Sequence, residues 1–267
     1  MRQGPVEEFA LHVGEFFLLW MAHHEPGEMP TLLEIEPVGR SRTARREYAA
    51  AASEALTERG LGTIDEPVDD VRDLLHTLAH AEIRFEFTTR TADVTTSIAG
   101  AVHGARAVMA MRSDTALQLR RQEVAGLVET MAGLLPQERA GEGPSANVTM
   151  DDFTRACDAG ADKGTWGFGD VLRRSGVHPS TIPTIMNAVG DRHGGGTLSV
   201  MRRVGAGRWQ RAPLRLTWVD TASGRYSLRQ DAEWATITPA TSARMATLVA
   251  DVFNQVIGSQ SEGPFTF

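Results

Sequence analysis

The stretch LRLTWVDTASGRYSLRQDAEWATITPA, residues 214–240, runs without a break into TSARMATLVADVFNQV, residues 241–256, and its reading decides the fold. Leu214, Leu216 and Trp218 alternate with Arg215, Thr217 and Val219, while Tyr226 and Leu228 alternate with Arg225, Ser227 and Arg229. A period of two is the pattern of a strand with one buried face, so the segment predicts an antiparallel hairpin. Pairing residues 214, 216 and 218 with 230, 228 and 226 keeps both bulky sets on one side. Thr221, Ala222 and Ser223 are then the loop, and Gly224 supplies the positive φ that short hairpins need. The same register gathers Arg215, Arg225 and Arg229 on the opposite face, within about 5–8 Å of one another. Trp234 to Ile237 supplies a third strand, and Pro239 suits the first turn of a helix. Met245, Leu248, Val249, Val252, Phe253 and Val256 form a single stripe on that helix, which packs on the sheet.

At 267 residues and 42% hydrophobic, the chain can bury a sizeable core as one large domain or two fused halves. No run approaches the roughly 18 apolar residues of a membrane-spanning helix, and Glu7 and Glu8 stand where a signal peptide carries basic residues. A cytoplasmic location is therefore expected, with no membrane insertion. Net charge is −7, which disfavours bulk nucleic-acid binding. The single cysteine, Cys157, has no second thiol to pair with and reads as a buried structural thiol.

Upstream, Glu8 to Val13 reads as a short strand and EFFLLWMAH as a buried helix, broken by Pro26, Gly27 and Pro30. Leu32, Leu33 and Ile35 look extended, and RSRTARREYAAAASEALTERG is helical, with Tyr48, Ala51, Ala52, Ala55 and Leu56 on one face. Pro67 opens a further helix through Leu78, and IRFEFTTR switches to strict alternation. Thr91 to Asp93 make a turn, and further strands follow, with Gly100 and Gly104 at a bend or bulge. GLVETMAGLL is a short helix. Three helical segments, MDDFTRACDAG, GFGDVLRRSG and HPSTIPTIMNAVGD, precede the strands TLSVMRRV, PLRLTWVD, GRYSLRQ and EWATI. The expected organisation is an N-terminal half over residues 1–136, a Gly/Pro/Ser-rich linker over 137–148, and a C-terminal half over 149–258 that repeats the plan. The fold class is α+β, one pseudo-two-fold unit with a central antiparallel sheet flanked by helical groups.

The order of these segments carries a resemblance. TWVDTASGRYSLRQ and EWATITPA, preceded by the opening strand with its LLW helix, MPTLLEI, LTERGLG and IRFEFTTR, resemble the EspG family, cytosolic chaperones associated with type VII (ESX) secretion in actinobacteria. The resemblance implies a chaperone whose clients are PE–PPE-type helical heterodimers, gripped at the tip of the longer partner. It also implies a contact through the central sheet, the loop joining early strands, and the C-terminal helices. The segments MAHHEPGE and GPSANVTMDDF match no family motif.

A search for chemistry leaves little to oppose a binding role. His76 and His80 are four apart on a helix, but Thr77 replaces the glutamate of a HExxH site and no third ligand is signalled. GDRHGGG precedes a strand, whereas a phosphate-cradling loop follows one, so it reads as a turn. No GxSxG elbow occurs. The expectation is no catalytic residue, metal or cofactor. The proposed partner-binding residues are Arg215, Arg225 and Arg229, together with Arg90, Thr91, Ala92 and Asp93 in the loop that the resemblance places at the client contact. A small-molecule enzyme with a site between the helical groups and a structural dimer scaffold are the alternative readings, and a homodimer stays open.

Overall fold

A computed structural model describes residues 8–205, 208–212, 215–230 and 233–257. The chain divides into two compact units. The first comprises residues 1–87, 96–127 and 201–210, and the second 88–95, 128–200 and 211–267. The class is α+β, and the paired strands are antiparallel in both units.

Unit 1 opens with strand β1 (Glu8–His12) and helix α1 (Val13–His23). His12 caps α1 by accepting the Gly14 N–H, and Glu15 returns a carboxylate to the His12 N–H. Phe16 to Trp20 are all buried. Helices α2 (Arg42–Glu58) and α3 (Asp69–Ala79) precede the start of β2 (Ile83–Arg90), then β3 (Thr95–His103), β4 (Arg106–Ser113) and β5 (Ala116–Glu123). The strand order in this unit is β1-β5-β4-β3-β2. Ile83, Phe85 and Phe87 are buried on one side of β2, as the alternation of IRFEFTTR requires. Gly100 stays inside β3 because a Cβ there would overlap the Phe85 ring, and Gly104 turns the β3–β4 hairpin with φ 57°.

Three expectations change in this unit. Thr31–Leu33 form a 3-10 turn rather than an extended segment. Tyr48 is 56% exposed, and α2 packs inward through Ala49, Ala52 and Leu56 instead. Trp209 of β8 (Arg208–Arg211), a strand absent from the sequence reading, lies close to two guanidinium groups, 4.4 Å from that of Arg84 and 5.1 Å from that of Arg203. Glu28 receives hydrogen bonds from both arginines.

Unit 2 continues from the short helix α4 (Leu127–Gly133) to strand β6 (Ala146–Thr149) and helix α5 (Met150–Arg174). Gly164 interrupts α5 with φ 64° and ψ −158°, so this stretch is two helices meeting at a kink, as the two helical segments read from the sequence require. Helix α6 (Ile182–Val189) carries Pro183 in its first turn. The strands β7 (Arg192–Val204), β9 (Leu216–Thr221), β10 (Gly224–Gln230) and β11 (Trp234–Pro239) then run in the order β7-β9-β10-β11-β6. Helix α7 (Ser242–Ile257) follows, so Pro239 ends a strand rather than starting the helix. Met245, Val249, Val252, Phe253 and Val256 are buried along it.

The hairpin forms, but one residue out of the expected register. Thr221 pairs with Gly224, Asp220 with Arg225, Val219 with Tyr226 and Trp218 with Ser227. The loop is Ala222–Ser223 alone, and Gly224 takes φ 105°. Leu214 lies outside the described residues. The shift splits the bulky set between the two faces. Val219, Tyr226 and Leu228 face Phe168, Leu172 and Ile185 of α5 and α6, whereas Leu216 lies on the α7 side.

Residues 137–148 were expected to run as an open linker. The Gly141 N–H donates to the Arg225 carbonyl at 2.8 Å, and the Arg225 N–H donates to the Arg139 carbonyl at 2.8 Å. Tyr226 Oη donates to the Glu142 carbonyl at 3.0 Å and accepts its N–H at 2.9 Å. This stretch is therefore strapped to β10, and its end is strand β6. Cys157 is exposed, not buried.

Candidate partner-docking site

Two concave surfaces of unit 2 gather the residues singled out in the sequence. The first is a cleft of about 650 Å³ formed by the end of β2, the start of β7 and the middle of β9. Arg90, Thr91 and Ala92 line one side, Arg192 and His193 the other, and Trp218 lies beneath. The loop is pinned by the Thr91 N–H, which donates to the Val94 carbonyl at 2.9 Å, and Arg90 Nε reaches Thr95 Oγ1 at 3.3 Å. Arg90, Thr91, Ala92 and Asp93 are all exposed, and Val94 beside them presents an apolar side chain at 52% exposure.

The glycine run explains the depth of this cleft. Gly194, Gly195 and Gly196 are strand residues, not the expected turn. A Cβ on Gly196 would overlap both the Thr88 carbonyl oxygen and the Trp218 ring, and Gly195 takes φ 145° beside the Trp218 carbonyl. The three glycines let β7 lie flush against β9, leaving Trp218 only 1% exposed. Next to the run, His193 Nε2 lies 3.1 Å from Glu138 Oε2. Burial pushes the Glu138 carboxyl up, but the His193 and Arg139 hydrogen bonds outweigh it and hold it below the usual range.

The second surface is a groove of about 430 Å³ between β9, β10 and α7. Arg215 and Arg229 line it, both exposed. Arg225 does not. The one-residue shift sets it opposite Asp220, where it is fully buried and donates from Nε and Nη2 to the two carboxylate oxygens. The expected triplet of surface arginines is thus corrected to a pair. A third guanidinium, Arg244, comes from α7 together with Asp251. Sequence reasoning passed over these two because only the apolar stripe of α7 was read. Their i, i+7 spacing, with Leu248 and Val252 between and beside them, was the available signal.

The histidines form a cluster in unit 1. His76 and His80 have ring centroids 4.1 Å apart, His24 lies 6.0 Å from His80, and His103 lies 6.0 Å from His76. Among the described residues no group of three or more His, Cys, Asp or Glu side chains is arranged to hold a metal ion. Burial pushes the His24 imidazole down to about 4, and the neighbouring His80, His23 and His76 add to the shift. No described helix is long and apolar enough to cross a membrane.

These surfaces define an α+β protein whose concave features are open, arginine-bearing clefts on a sheet. The chain belongs to the EspG family, whose family model matches residues 12–251. No curated protein matches it. Among solved structures it is similar to the Mycobacterium tuberculosis type VII secretion system chaperone EspG5 in complex with the PE25-PPE41 dimer. The two share 19% identity over 93% of this chain and 96% of that one, with a TM-score of 0.71.

Proposed function

We propose that this chain is a cytosolic chaperone of type VII secretion that binds PE–PPE-like helical heterodimers, keeps them soluble and hands them to the secretion machinery. Family membership across residues 12–251 carries the reading. The likeness in fold to a chaperone solved with its PE–PPE dimer supports it. An exposed apolar helical tip self-associates in water, and covering it with a polar-rimmed concave surface prevents that. The protein then works by binding rather than by catalysis.

The proposed client surface comprises Arg90, Thr91, Ala92 and Asp93 beside the first cleft and Arg215 and Arg229 beside the groove. Arg225 is left out because it is buried against Asp220. The test is co-expression with PE–PPE heterodimers followed by size-exclusion chromatography and calorimetry. A stable complex of one chain per heterodimer is expected, with higher client solubility. Heterodimers that elute apart from a folded chain, whichever pair is supplied, would refute the reading.

A further inference from the structure

We infer that the groove between the β9–β10 hairpin and α7 is a receptor for an acidic protein segment that inserts one apolar side chain between its carboxylates. The inference deepens the client-binding reading and rests on it for the identity of the partner. Three observations carry it.

The first is charge. Arg215, Arg229 and Arg244 all line the groove, and Asp251 is the acidic residue lining it. All three arginines are exposed, and among the described residues none has a carboxylate within ion-pair distance. The chain as a whole carries −7, so this rim is opposite in sign to the net charge. A local positive field attracts an acidic partner.

The second is the floor. Leu216 and Val252 are buried, Leu248 is half-buried, and the groove of about 430 Å³ is large enough for an apolar side chain with its flanking backbone. The third is register. The pairing of Asp220 with Arg225 and Trp218 with Ser227 places Leu216 and Arg229 on the face that α7 covers. On α7, Arg244, Leu248, Asp251, Val252 and Gln255 follow at i, i+4, i+7, i+8 and i+11, one stripe along the same wall. Guanidinium groups grip carboxylates bidentately, so a segment with carboxylates on either side of an apolar side chain fits where a purely apolar or basic one does not.

The experiment uses the full chain and two fluorescein-labelled peptides, EDLFDE and its neutral counterpart QNLFNQ, in an anisotropy titration at low and at physiological salt. The acidic peptide is expected to bind with an affinity that falls as salt rises, and the neutral one at least tenfold more weakly, about 1.4 kcal/mol. The triple variant R215E/R229E/R244E is expected to lose binding at least tenfold while melting as the wild type does. Leu248→Glu, which sets a carboxylate among the three arginines, should weaken binding similarly. Equal binding of the two peptides, or unchanged binding by both folded variants, overturns the inference. So does a wild-type dimer in sedimentation that the triple variant dissociates, because a second copy would then occupy the groove. If heterodimers bind wild type and triple variant alike, the groove is refuted while the chaperone reading stands. If the acidic peptide binds as expected but no heterodimer does, the chaperone reading falls and the groove stands.

Discussion

Arg225 and Asp220 face each other across the β9–β10 hairpin, with Arg225 Nε 2.6 Å from Asp220 Oδ1 and Nη2 2.9 Å from Oδ2, both side chains out of contact with water. Removing one partner of a buried pair strands the other charge, at a cost of about 3–5 kcal/mol. Asp220→Ala should therefore lower the urea midpoint sharply with an unchanged slope. The double variant D220V/R225M, which leaves no charge behind, should be the milder of the two. A single variant within about 1 kcal/mol of wild type would mean that the pair is not buried as described.

The glycine run of β7 makes a second case. Gly196→Val sets a side chain where the Thr88 carbonyl and the Trp218 ring already lie. Overpacking of this kind costs about 1–3 kcal/mol. The emission of Trp218 should also shift to longer wavelength as the strands part and water reaches the ring. Unaltered melting and emission would show that β7 and β9 are less closely apposed.

Acid should weaken unit 1 through His24. Its folded pKa of about 4 lies below the ordinary 6.5, so the unfolded chain takes up the proton first as pH falls. The contribution is complete above about pH 6.5 and is lost on the way down to about 4. His76, also held low by burial and by His80, shifts stability in the same direction, while Asp73 opposes it. Asp152, whose carboxyl is held below its ordinary 3.8 by the Thr149 and Ser175 hydroxyls, acts at lower pH and does not blur the window. Denaturation series at pH 7.5, 6.0 and 5.0 should show a decline that His24→Gln flattens. Parallel declines in both proteins would remove His24 as the cause.

The strap at residues 139–142 bears on proteolysis. Its backbone is bonded to β10 and to the Tyr226 hydroxyl, so trypsin should cut slowly after Arg139 in spite of that side chain's 60% exposure. Tyr226→Phe removes both hydrogen bonds to Glu142, at about 1–3 kcal/mol for buried groups left unpaired, and should speed the cut. Rapid cleavage after Arg139 in the wild type would show that the strap is open in solution.

Much of the fold was legible because its strongest patterns are local. IRFEFTTR alternates without exception and buries Ile83, Phe85 and Phe87, and the stripe of α7 buries five of its six apolar positions. The hairpin register was misread for a physical reason. Setting Leu216, Trp218, Tyr226 and Leu228 on one side assumes a hairpin with a single buried face, whereas both faces are covered here, so Leu216 and Trp218 share one face with the buried Asp220 and Arg225. The site suffered accordingly, with Arg225 assigned to the surface and Arg244 overlooked. GDRHGGG read as a turn because it is glycine-rich and precedes the strand pattern of TLSVMRRV, and only the close approach of Trp218 shows why strand β7 needs the glycines. Strand β6 was hidden in a Gly/Pro/Ser-rich stretch whose four residues, ANVT, are too short for periodicity to register.

The pairing of Glu28 with Arg203 spans 175 positions of the chain. Residues 201–210, which bring Arg203 and Trp209 to Arg84 and Glu28, are the last segment of unit 1 to leave the ribosome. At translation rates of about 5–20 residues per second, Glu28 waits roughly 10–35 s for its second guanidinium. The whole of α5 and of α6 lies between them in synthesis order, so most of unit 2 is made while unit 1 is still incomplete. A nascent chain stalled before residue 201 would expose the Trp209 site without its tryptophan, an unfinished surface in need of shelter.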